Sequence, residues 1–332
     1  MRNNACGIDV SYKTFDVEFM INGKPTDIKS YTNDNKGRKS FIKKLKAKKI
    51  THVCLEATGN YHLDIALMVD KIKEVKLMVI NPRISHNYSK VLNQRAKTDA
   101  QDAHVLAHYA AYMEFNQWNA PDEVIFSIRA CGRWLSQLSK QTTKLKNQLH
   151  AYKSTKFTPE FIISDVKLSI SNLEAQKKNL IENALELILN HEKASRMYKL
   201  ITRMSGFADK TAIKLIGELA VLDPDMKPKQ LVAHAGLNPT VFQSGTSINK
   251  KARLSKAGNK YIREALYMSA MQMTFRNPNV QAYYEHMVND NGITKRQAIC
   301  AIMRKVLMSI HSMIRDNVDF DANKFYKISA NQ

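Results

Sequence analysis

The first 120 or so residues alternate between short runs suited to strands and longer runs suited to helices. Strand-like runs, rich in β-branched and aromatic residues, occupy residues 5–20, 51–57 and 76–80, and Asn22-Gly23 supplies a hairpin turn after the first. Runs with helical spacing occupy residues 35–49, 61–73 and 103–113. Strands that alternate with helices in this order predict a mixed α/β sheet.

From residue 122 onward the apolar spacing becomes that of long helices. Apolar residues recur at intervals of three, four and seven over residues 125–152 and, after a break at Thr158-Pro159, over residues 166–187. These stripes predict two long helices, which form either an antiparallel hairpin within the chain or a coiled coil between chains.

Shorter helices are predicted for the rest of the chain. Residues 200–222 favour two helices joined by a tight turn at Ser205-Gly206. This is the pattern of a helix-hairpin-helix, whose turn presents N–H groups to phosphates, and a packed helical pair is the plain alternative. Further helices are predicted at residues 261–275, 280–288 and 294–314, with a poorly fixed tail after Asp316.

Together these patterns predict three segments. An α/β domain is expected over residues 1–120, a helical, coiled-coil-like connector over residues 121–195, and a mainly helical domain over residues 196–332.

The charge of the chain points to a polyanionic partner. Lysine and arginine number 51 against 30 aspartates and glutamates, a formal charge of +21. Contacts with phosphates release bound counterions, so nucleic acid is favoured over the alternative of a membrane surface. The four cysteines are far apart, and His104 and His108 are interpreted as ordinary helix residues. Because no signal-like or long uncharged apolar run is visible, a cytoplasmic protein without a membrane partner is expected.

Four acidic residues occupy positions at which a carboxylate suggests a functional site. Asp9 lies inside the first strand, Glu56 ends the strand of residues 51–57, and Asp99 and Asp102 are three apart on the helix that follows. Taken one at a time, each has a plain alternative as a solvated surface acid. Four carboxylates around one cleft repel each other unless divalent cations lie among them, which favours a two-metal site for phosphodiester chemistry.

Residues 231–258 are rich in Gly, Ser, Thr and Lys, which predicts a basic loop between helices. Ser244-Gly245 is expected to form a turn with a projecting hydroxyl, and nearby cations suit attack on phosphorus because they stabilise charge on the phosphate oxygens. The residues alone do not choose Ser244 over Ser247 or Ser255. The cations, also predicted to contact nucleic acid, are Lys250, Lys251, Arg253 and Lys256.

Several motifs resemble one bacterial family. GIDVS around Asp9, CLEATGNY around Glu56 and the run NPRISHNYSKVLNQRAKTDAQDAHVLA resemble the N-terminal RuvC-like domain, an RNase H-like fold, of the DEDD family of insertion-sequence transposases. GLNP, QSGT and KAGNKYIREAL resemble the C-terminal transposase domain of the same family, whose relatives include Piv-type DNA invertases. The acidic tetrad of the family corresponds to Asp9, Glu56, Asp99 and Asp102, and its nucleophilic serine to Ser244.

The resemblance implies a specific activity. It implies a recombinase that mobilises an insertion sequence through a phosphoserine–DNA intermediate, with Mg²⁺, or Mn²⁺ in its place, held by the four acids. It also implies donor and target DNA, a structured noncoding bridge RNA as guide, a dimer or tetramer, and a place near the bacterial nucleoid. Two alternatives remain: a RuvC-like nuclease that uses metal-activated water, and a nucleic-acid-binding protein without activity.

Overall fold

The computed structural model describes residues 2–93, 99–244 and 248–328; for residues 99, 100, 241–244 and 248–252 it describes the backbone alone. The chain divides into two compact units, Met1–Ala120 and Pro121–Gln332. The boundaries predicted for three separate segments stay a prediction.

The first unit is built on a mixed sheet covered by helices. Its described strands are β1 (Asn4–Val10), β2 (Thr14–Ile21), β3 (Lys24–Pro25), β4 (Lys29–Thr32), β5 (His52–Glu56) and β6 (Lys76–Ile80). Its described helices are α1 (Asn35–Ala47), α2 (Leu63–Asp70), α3 (Pro82–Val91) and α4 (Asp99–Tyr112).

The strand order is β3-β2-β1-β5-β6, with β4 paired to the outer side of β2. Strand β1 is antiparallel to β2 and parallel to β5, and β5 is parallel to β6, so the predicted mixed sheet is confirmed. The run of residues 5–20 forms two strands and not one, because the chain turns between Val10 and Thr14. Asn22 and Gly23 both have positive φ, as the predicted hairpin turn requires.

Helix α3 was not predicted. Asn81-Pro82 ends β6 and also begins a helix. The Asn81 side chain accepts a hydrogen bond from the Arg83 backbone N–H at 2.9 Å, and Pro82 occupies the first helical position. Both features favour a helix start, so the proline ends the strand and opens α3 at the same point.

The second unit is mainly helical, as predicted. Its described helices are α5 (Glu123–Lys153), α6 (Glu160–Leu189), α7 (Glu192–Thr202), α8 (Asp209–Leu219), α9 (Pro228–His234), α10 (Lys260–Arg276), α11 (Pro278–Glu285), α12 (Lys295–Asp316) and α13 (Ala322–Phe325), with a π-helical turn at His286–Asp290. Its described strands are β7 (Pro239–Ser244) and β8 (Ile248–Leu254), an antiparallel pair.

The two long helices form a hairpin within the chain. Helices α5 and α6 pack on each other, and the Lys146 ammonium lies 2.6 Å from the Glu174 carboxylate across the pair. Ile125 and Ile128 of α5 belong to the same core as α8, α10 and α12. Ala184 and Ile188 of α6 belong to this core as well, so both long helices pack within the second unit. A coiled coil between chains stays a prediction.

The turn between α7 and α8 faces protein. A Cβ on Gly206, which has φ of 85°, would lie 3.0 Å from the Ser269 carbonyl oxygen of α10. The Asp209 carboxylate, in the first turn of α8, accepts a hydrogen bond from the Tyr198 hydroxyl at 2.7 Å. An acid at a helix N-terminus disfavours a phosphate there. The geometry therefore favours the packed helical pair over a helix-hairpin-helix that contacts DNA.

Residues 317–328, the described part of the tail after Asp316, are packed, contrary to the prediction of a poorly fixed segment. Phe325 of α13 is only 2% exposed and joins the core of the second unit. Asp321 caps α13 by accepting hydrogen bonds from the Asn323 and Lys324 backbone N–H groups.

None of the helices that the structure describes combines the length and the apolar character needed to cross a membrane.

Candidate active site

Helix α4 crosses β1 in the opposite direction at very short distance. The Arg2 backbone N–H donates to the Ala111 carbonyl at the end of α4, whereas Gly7 lies against Ala103 and Ala107 nearer its start. A Cβ on Gly7 would stand 2.1 Å from the Ala107 nitrogen. Glycine at this position lets the helix backbone touch the strand. The first turn of α4 is thereby placed at the carboxyl end of β1.

The carboxyl end of β1 is where three of the predicted acids lie. Gly7 pairs with Cys54 of the parallel strand β5, so Asp9 and Glu56, each two residues further on, lie side by side on the face that α4 covers. Asp102 lies in the first turn of α4, and all three are half-buried. The structure therefore brings Asp9, Glu56 and Asp102 to one edge of the sheet. Asp99 is the first residue of α4, and its side chain lies outside the described residues.

The Glu56 carboxylate is held by two hydroxyl groups. The Thr58 Oγ1 donates to its Oε1 at 3.1 Å, and the Ser85 Oγ donates to its Oε2. Ser85 lies in α3 and is only 7% exposed. Two donors fix the orientation of the carboxylate, as donors to metal-ligating side chains do. Because α3 itself was not predicted, Ser85 was missed.

A buried glutamate and a histidine lie next to this edge. The His104 Nδ1 of α4 lies 2.7 Å from the Glu18 Oε2 of β2, and Glu18 is 4% exposed. Burial raises the pKa of Glu18 above its usual value, although the nearby imidazole acts in the other direction. The His108 Nδ1 is bonded to the Tyr88 hydroxyl at 2.8 Å. Both histidines therefore have partners inside the fold, which agrees with their interpretation as helix residues.

A further acid, Asp16, was not singled out from the sequence. It pairs with Asp9 across the antiparallel strands β1 and β2, on the face that α4 covers, and it is half-buried. Its alternation with Glu18 along β2 was the available signal. Among the described side chains, which exclude that of Asp99, no three His, Cys, Asp or Glu residues are close enough together to hold a metal ion.

The stretch predicted as a basic loop, residues 231–258, contains the end of α9 and the β-hairpin of β7 and β8. Ser244 is the last residue of β7, where its backbone pairs with Ile248 of β8, and its side chain lies outside the described residues. Lys250 and Lys251 belong to β8, and their side chains are not described either. Arg253 and Lys256 are exposed. The prediction of a loop was wrong because the stretch is rich in Gly, Ser and Lys. These residues make the apolar–polar alternation of the two short strands difficult to recognise.

The base of this hairpin is clamped to the helices of the second unit. The Asn259 backbone N–H, just after the hairpin, donates to the His234 carbonyl at 2.7 Å. Its side-chain amide donates to the Glu218 Oε2, also at 2.7 Å. Glu218 is 2% exposed and is paired with Arg129 at 3.1 Å and Arg133 at 2.6 Å. This network ties the start of α10, which directly follows the hairpin, to α5 and α8.

Charge and burial compete at this network. Burial favours the neutral form of Glu218, but the hydrogen bonds and charges of Arg133, Arg129 and Asn259 outweigh it and hold the pKa of its carboxyl below the usual value. Burial also lowers the pKa of the neighbouring His234. The hairpin is therefore anchored by an ionised, paired carboxylate.

Comparison with known proteins decides the family. A DEDD-type transposase profile of the IS110 group matches residues 6–155, and the profile of the transposase IS116/IS110/IS902 family matches residues 198–285. The chain is 30% identical over 327 residues to the pilin gene-inverting protein of Moraxella bovis, covering 97% of this chain and 98% of the relative. The chain belongs to the IS110 family of transposases. Members recombine DNA, so the chain is a DNA recombinase.

Two other relatives fit the same family. The pilin gene-inverting protein of Moraxella lacunata is also 30% identical over 327 residues, with 97% of this chain and 98% of the relative covered. An uncharacterised 43.6 kDa protein of the insertion element IS110 from Streptomyces coelicolor is 26% identical over 167 residues, half of this chain and 39% of that protein. The family and its DNA substrate are thus established, and DEDD transposases typically use a divalent metal ion.

Proposed function

We propose that this IS110-family transposase cuts and rejoins DNA through a covalent bond between Ser244 and a DNA phosphate. The Ser244 Oγ attacks the scissile phosphorus and forms a new phosphoester bond. The bond from phosphorus to the leaving strand breaks, and the leaving oxygen receives the proton that the serine loses. Attack by the hydroxyl of another DNA end reverses these steps and joins the new strands. Because the phosphoester bond is kept throughout, no ATP is required.

The clamped hairpin is the observation that carries the proposal. It supports a nucleophile at Ser244 because a reacting hydroxyl must be held in one position relative to the phosphate. The exposed cations Arg253 and Lys256 lie on or beside the same hairpin, and Lys250 and Lys251 belong to β8. Cations placed in this way stabilise the negative charge that builds on the phosphate oxygens during attack.

Asp9, Glu56, Asp99 and Asp102 are proposed to hold Mg²⁺, or Mn²⁺ in its place. Their carboxylate oxygens are the hard donors that these ions prefer, and three of the four lie at one edge of the sheet. A bound ion would polarise the phosphate and stabilise the leaving hydroxyl. In this scheme Thr58 and Ser85 orient the Glu56 carboxylate.

The proposal includes the partners of the reaction. The charge of +21 supports simultaneous contact with donor DNA, target DNA and a structured noncoding guide RNA. If base pairing with the RNA selects the target, the protein needs to recognise only backbone and helix shape. A dimer or tetramer is proposed, with the serine of one protomer serving the acids of another. A protein that acts on the chromosome in this way belongs in the cytoplasm at the nucleoid.

A denaturing gel tests the covalent step. The full chain, co-expressed with its flanking noncoding RNA, is mixed with end-labelled donor DNA and Mg²⁺, next to Ser244→Ala, Asp102→Ala and the control Ser255→Ala. A labelled protein–DNA adduct is expected for the natural chain and for Ser255→Ala, and it is expected to be absent from the other two variants. Omitting the RNA is expected to abolish the adduct as well.

Other outcomes would select the alternatives. Cleaved DNA without an adduct, unchanged by Ser244→Ala, would contradict the covalent mechanism and support a nuclease that uses metal-activated water. Tight binding with no Mg²⁺-dependent cleavage would support a binding protein without activity. Mixing the Ser244→Ala and Asp102→Ala proteins tests assembly across protomers, because adduct formation is expected to return only if the site combines two chains.

A further inference from the structure

An open basic cleft lies in the second unit, beside the hairpin that carries Ser244. It has a volume of about 1010 Å³ and is bounded by the base of the hairpin and by α11 and α12. This volume is at the upper end of the range for pockets that hold small molecules, about 300–1,000 Å³. The cleft is therefore large enough for a segment of a polymer.

The charge of the cleft has a single sign. Among its described lining residues are five cations and no aspartate or glutamate. These cations are Arg253, Lys256, Arg296, Arg304 and Lys305. The ion pairs found within the described part of the chain involve none of them. By contrast, another cavity of this unit, about 260 Å³ in volume, mixes lysine and arginine with Asp223 and Asp225.

Helix α12 supplies one wall as a regular stripe. Arg296, Cys300, Arg304 and Met308 follow one another at intervals of four and line the cleft together. Burial raises the pKa of the Cys300 thiol, while the charges of Lys256 and Arg296 act against that rise. Lys256, which follows the hairpin, and Arg296 of α12 thus both lie close enough to Cys300 to influence the pKa of its thiol.

Lys305 is held at the cleft by three aromatic rings. Its Nζ lies 4.4 Å from the ring centre of Tyr283, 4.8 Å from that of Phe325 and 5.6 Å from that of Tyr326. Burial lowers the pKa of Lys305. A lysine fixed in this way loses less entropy when it contacts an anion than a free surface lysine does.

The remaining walls are apolar. Leu237, Leu254, Tyr283, Met287 and Met308 line the cleft between the cations. Alternation of cations with aromatic and apolar side chains is typical of grooves that hold a nucleic acid strand, whose phosphates contact the cations and whose sugars and bases contact the apolar surface. The N-terminus of the 22-residue helix α12, capped by Thr294 and Gln297, opens at the same cleft and adds its positive dipole end.

We propose that this cleft binds the phosphodiester backbone of the DNA strand next to the bond that is cut. The cleft reaches the hairpin at Pro239 and Arg253, and Ser244 lies five residues along β7 from Pro239. At about 3.4 Å per strand residue this separates Ser244 from the cleft by about 17 Å, the length of about five stacked nucleotides. The position of the cut relative to the cleft and the choice of DNA over RNA rest on the proposed function, whereas binding of a phosphodiester backbone does not.

The observations favour DNA over the guide RNA as the occupant. The hairpin that borders the cleft is the element proposed to react with DNA, so a strand held there leads to Ser244. Lysine and arginine side chains at this cleft are proposed to contact phosphates and not base edges, so we expect binding that is independent of sequence.

Matched charge removal tests the proposal. The full chain is compared with Arg296→Gln/Arg304→Gln and with the control Lys199→Gln/Lys229→Gln, which removes two exposed cations of the same unit that do not line the cleft. Binding of labelled DNA and RNA oligonucleotides of the same arbitrary sequence is measured by fluorescence anisotropy with a metal chelator present, at several salt concentrations. Thermal melting confirms that all three proteins are folded.

The cleft variant is expected to bind DNA at least tenfold more weakly. Its plot of log affinity against log salt concentration should be less steep by about 2, one for each lost contact with phosphate. Equal losses in the cleft and control variants, or no loss in either, would overturn the proposal. A loss confined to RNA of the same sequence would also overturn it and assign the cleft to the guide.

The outcome of this binding test does not depend on the covalent mechanism. Ser244→Ala is expected to bind DNA with unchanged affinity. If the natural chain forms no adduct and the cleft variant still loses DNA binding, the proposed function fails while the cleft remains a DNA site.

Discussion

Gly7 of β1 and Ala107 of α4 are in backbone contact, with room for no side chain between them: a Cβ on Gly7 would lie 2.1 Å from the Ala107 nitrogen. This contact sets the height of α4 above the sheet. Asp102 lies five residues before Ala107 in α4, and Asp9 lies two residues after Gly7 in β1. The same contact therefore controls how closely these two acids approach each other.

Gly7→Ala is expected to destabilise the protein by about 3 kcal/mol, because the new methyl group forces the helix and strand apart. The rate of recombination should fall by more than the loss of stability alone would cause, since α4 carries two of the proposed metal ligands. The control is Gly292→Ala. A Cβ added at Gly292 would have no described atom within 4 Å beyond its chain neighbours, and the positive φ of this residue costs about 1 kcal/mol. Urea unfolding of the full chain measures the stability of both variants. An equal loss of stability in Gly7→Ala and Gly292→Ala would contradict the proposed role of the contact.

Ser85→Ala removes one of the two donors to Glu56 and should leave the fold intact. The Mg²⁺ concentration needed for half-maximal DNA cleavage is expected to rise about tenfold, because the carboxylate loses its fixed orientation. Ser89→Ala is the matched control in the same helix, since the Ser89 hydroxyl bonds only to the His86 carbonyl among the described contacts. An unchanged Mg²⁺ requirement for Ser85→Ala would separate Glu56 from metal binding.

Glu218→Gln is expected to cost about 3 kcal/mol at pH 7, since it leaves the half-buried Arg129 and Arg133 beside a neutral group. The pKa of Glu218 is lower in the folded protein than its usual value, so the ionised carboxylate stabilises the fold above pH 4.5 or so. That contribution is lost as the pH falls through the lowered pKa.

The difference in unfolding free energy between Glu218→Gln and the natural chain should therefore shrink below about pH 4.5. Thermal melting at a series of pH values measures it. Glu182→Gln, at an exposed position of α6, is expected to change stability by less than about 0.5 kcal/mol at every pH. A pH-independent effect at Glu218 would contradict the ionised pairing.

Phe325→Ala is expected to destabilise the second unit by about 3 kcal/mol, because the buried ring fills part of its core. It also removes one wall of the aromatic cage around Lys305 and should weaken DNA binding. The control Ile328→Ala, at a side chain 45% exposed, should do neither. Chemical denaturation and anisotropy on the same samples distinguish a core effect from an effect on the cleft.

Most elements were predictable because they are local patterns. The heptad-like stripes of α5 and α6 and the break at Pro159 depend on residues a few positions apart, as does the Thr294–Gln297 capping box that begins α12. Predictions failed where two local signals competed. At Asn81-Pro82 the signal that ends a strand also begins a helix, and around Ser244 turn-forming residues concealed a short β-hairpin.

The sequence by itself determined which chemical groups this transposase has: acids at strand ends, a serine among cations, and a large positive charge. Their register along strands and helices followed from the periods of two and 3.6 residues. Only the tertiary structure decided which of them meet. The Ser85 hydroxyl reaches Glu56 across 29 positions, His104 reaches Glu18 across 86, and Asn259 reaches Glu218 across 41. Such contacts depend on how close a helix packs to its neighbours, which is set by side-chain volume at the crossing point and leaves no periodic signal in the chain.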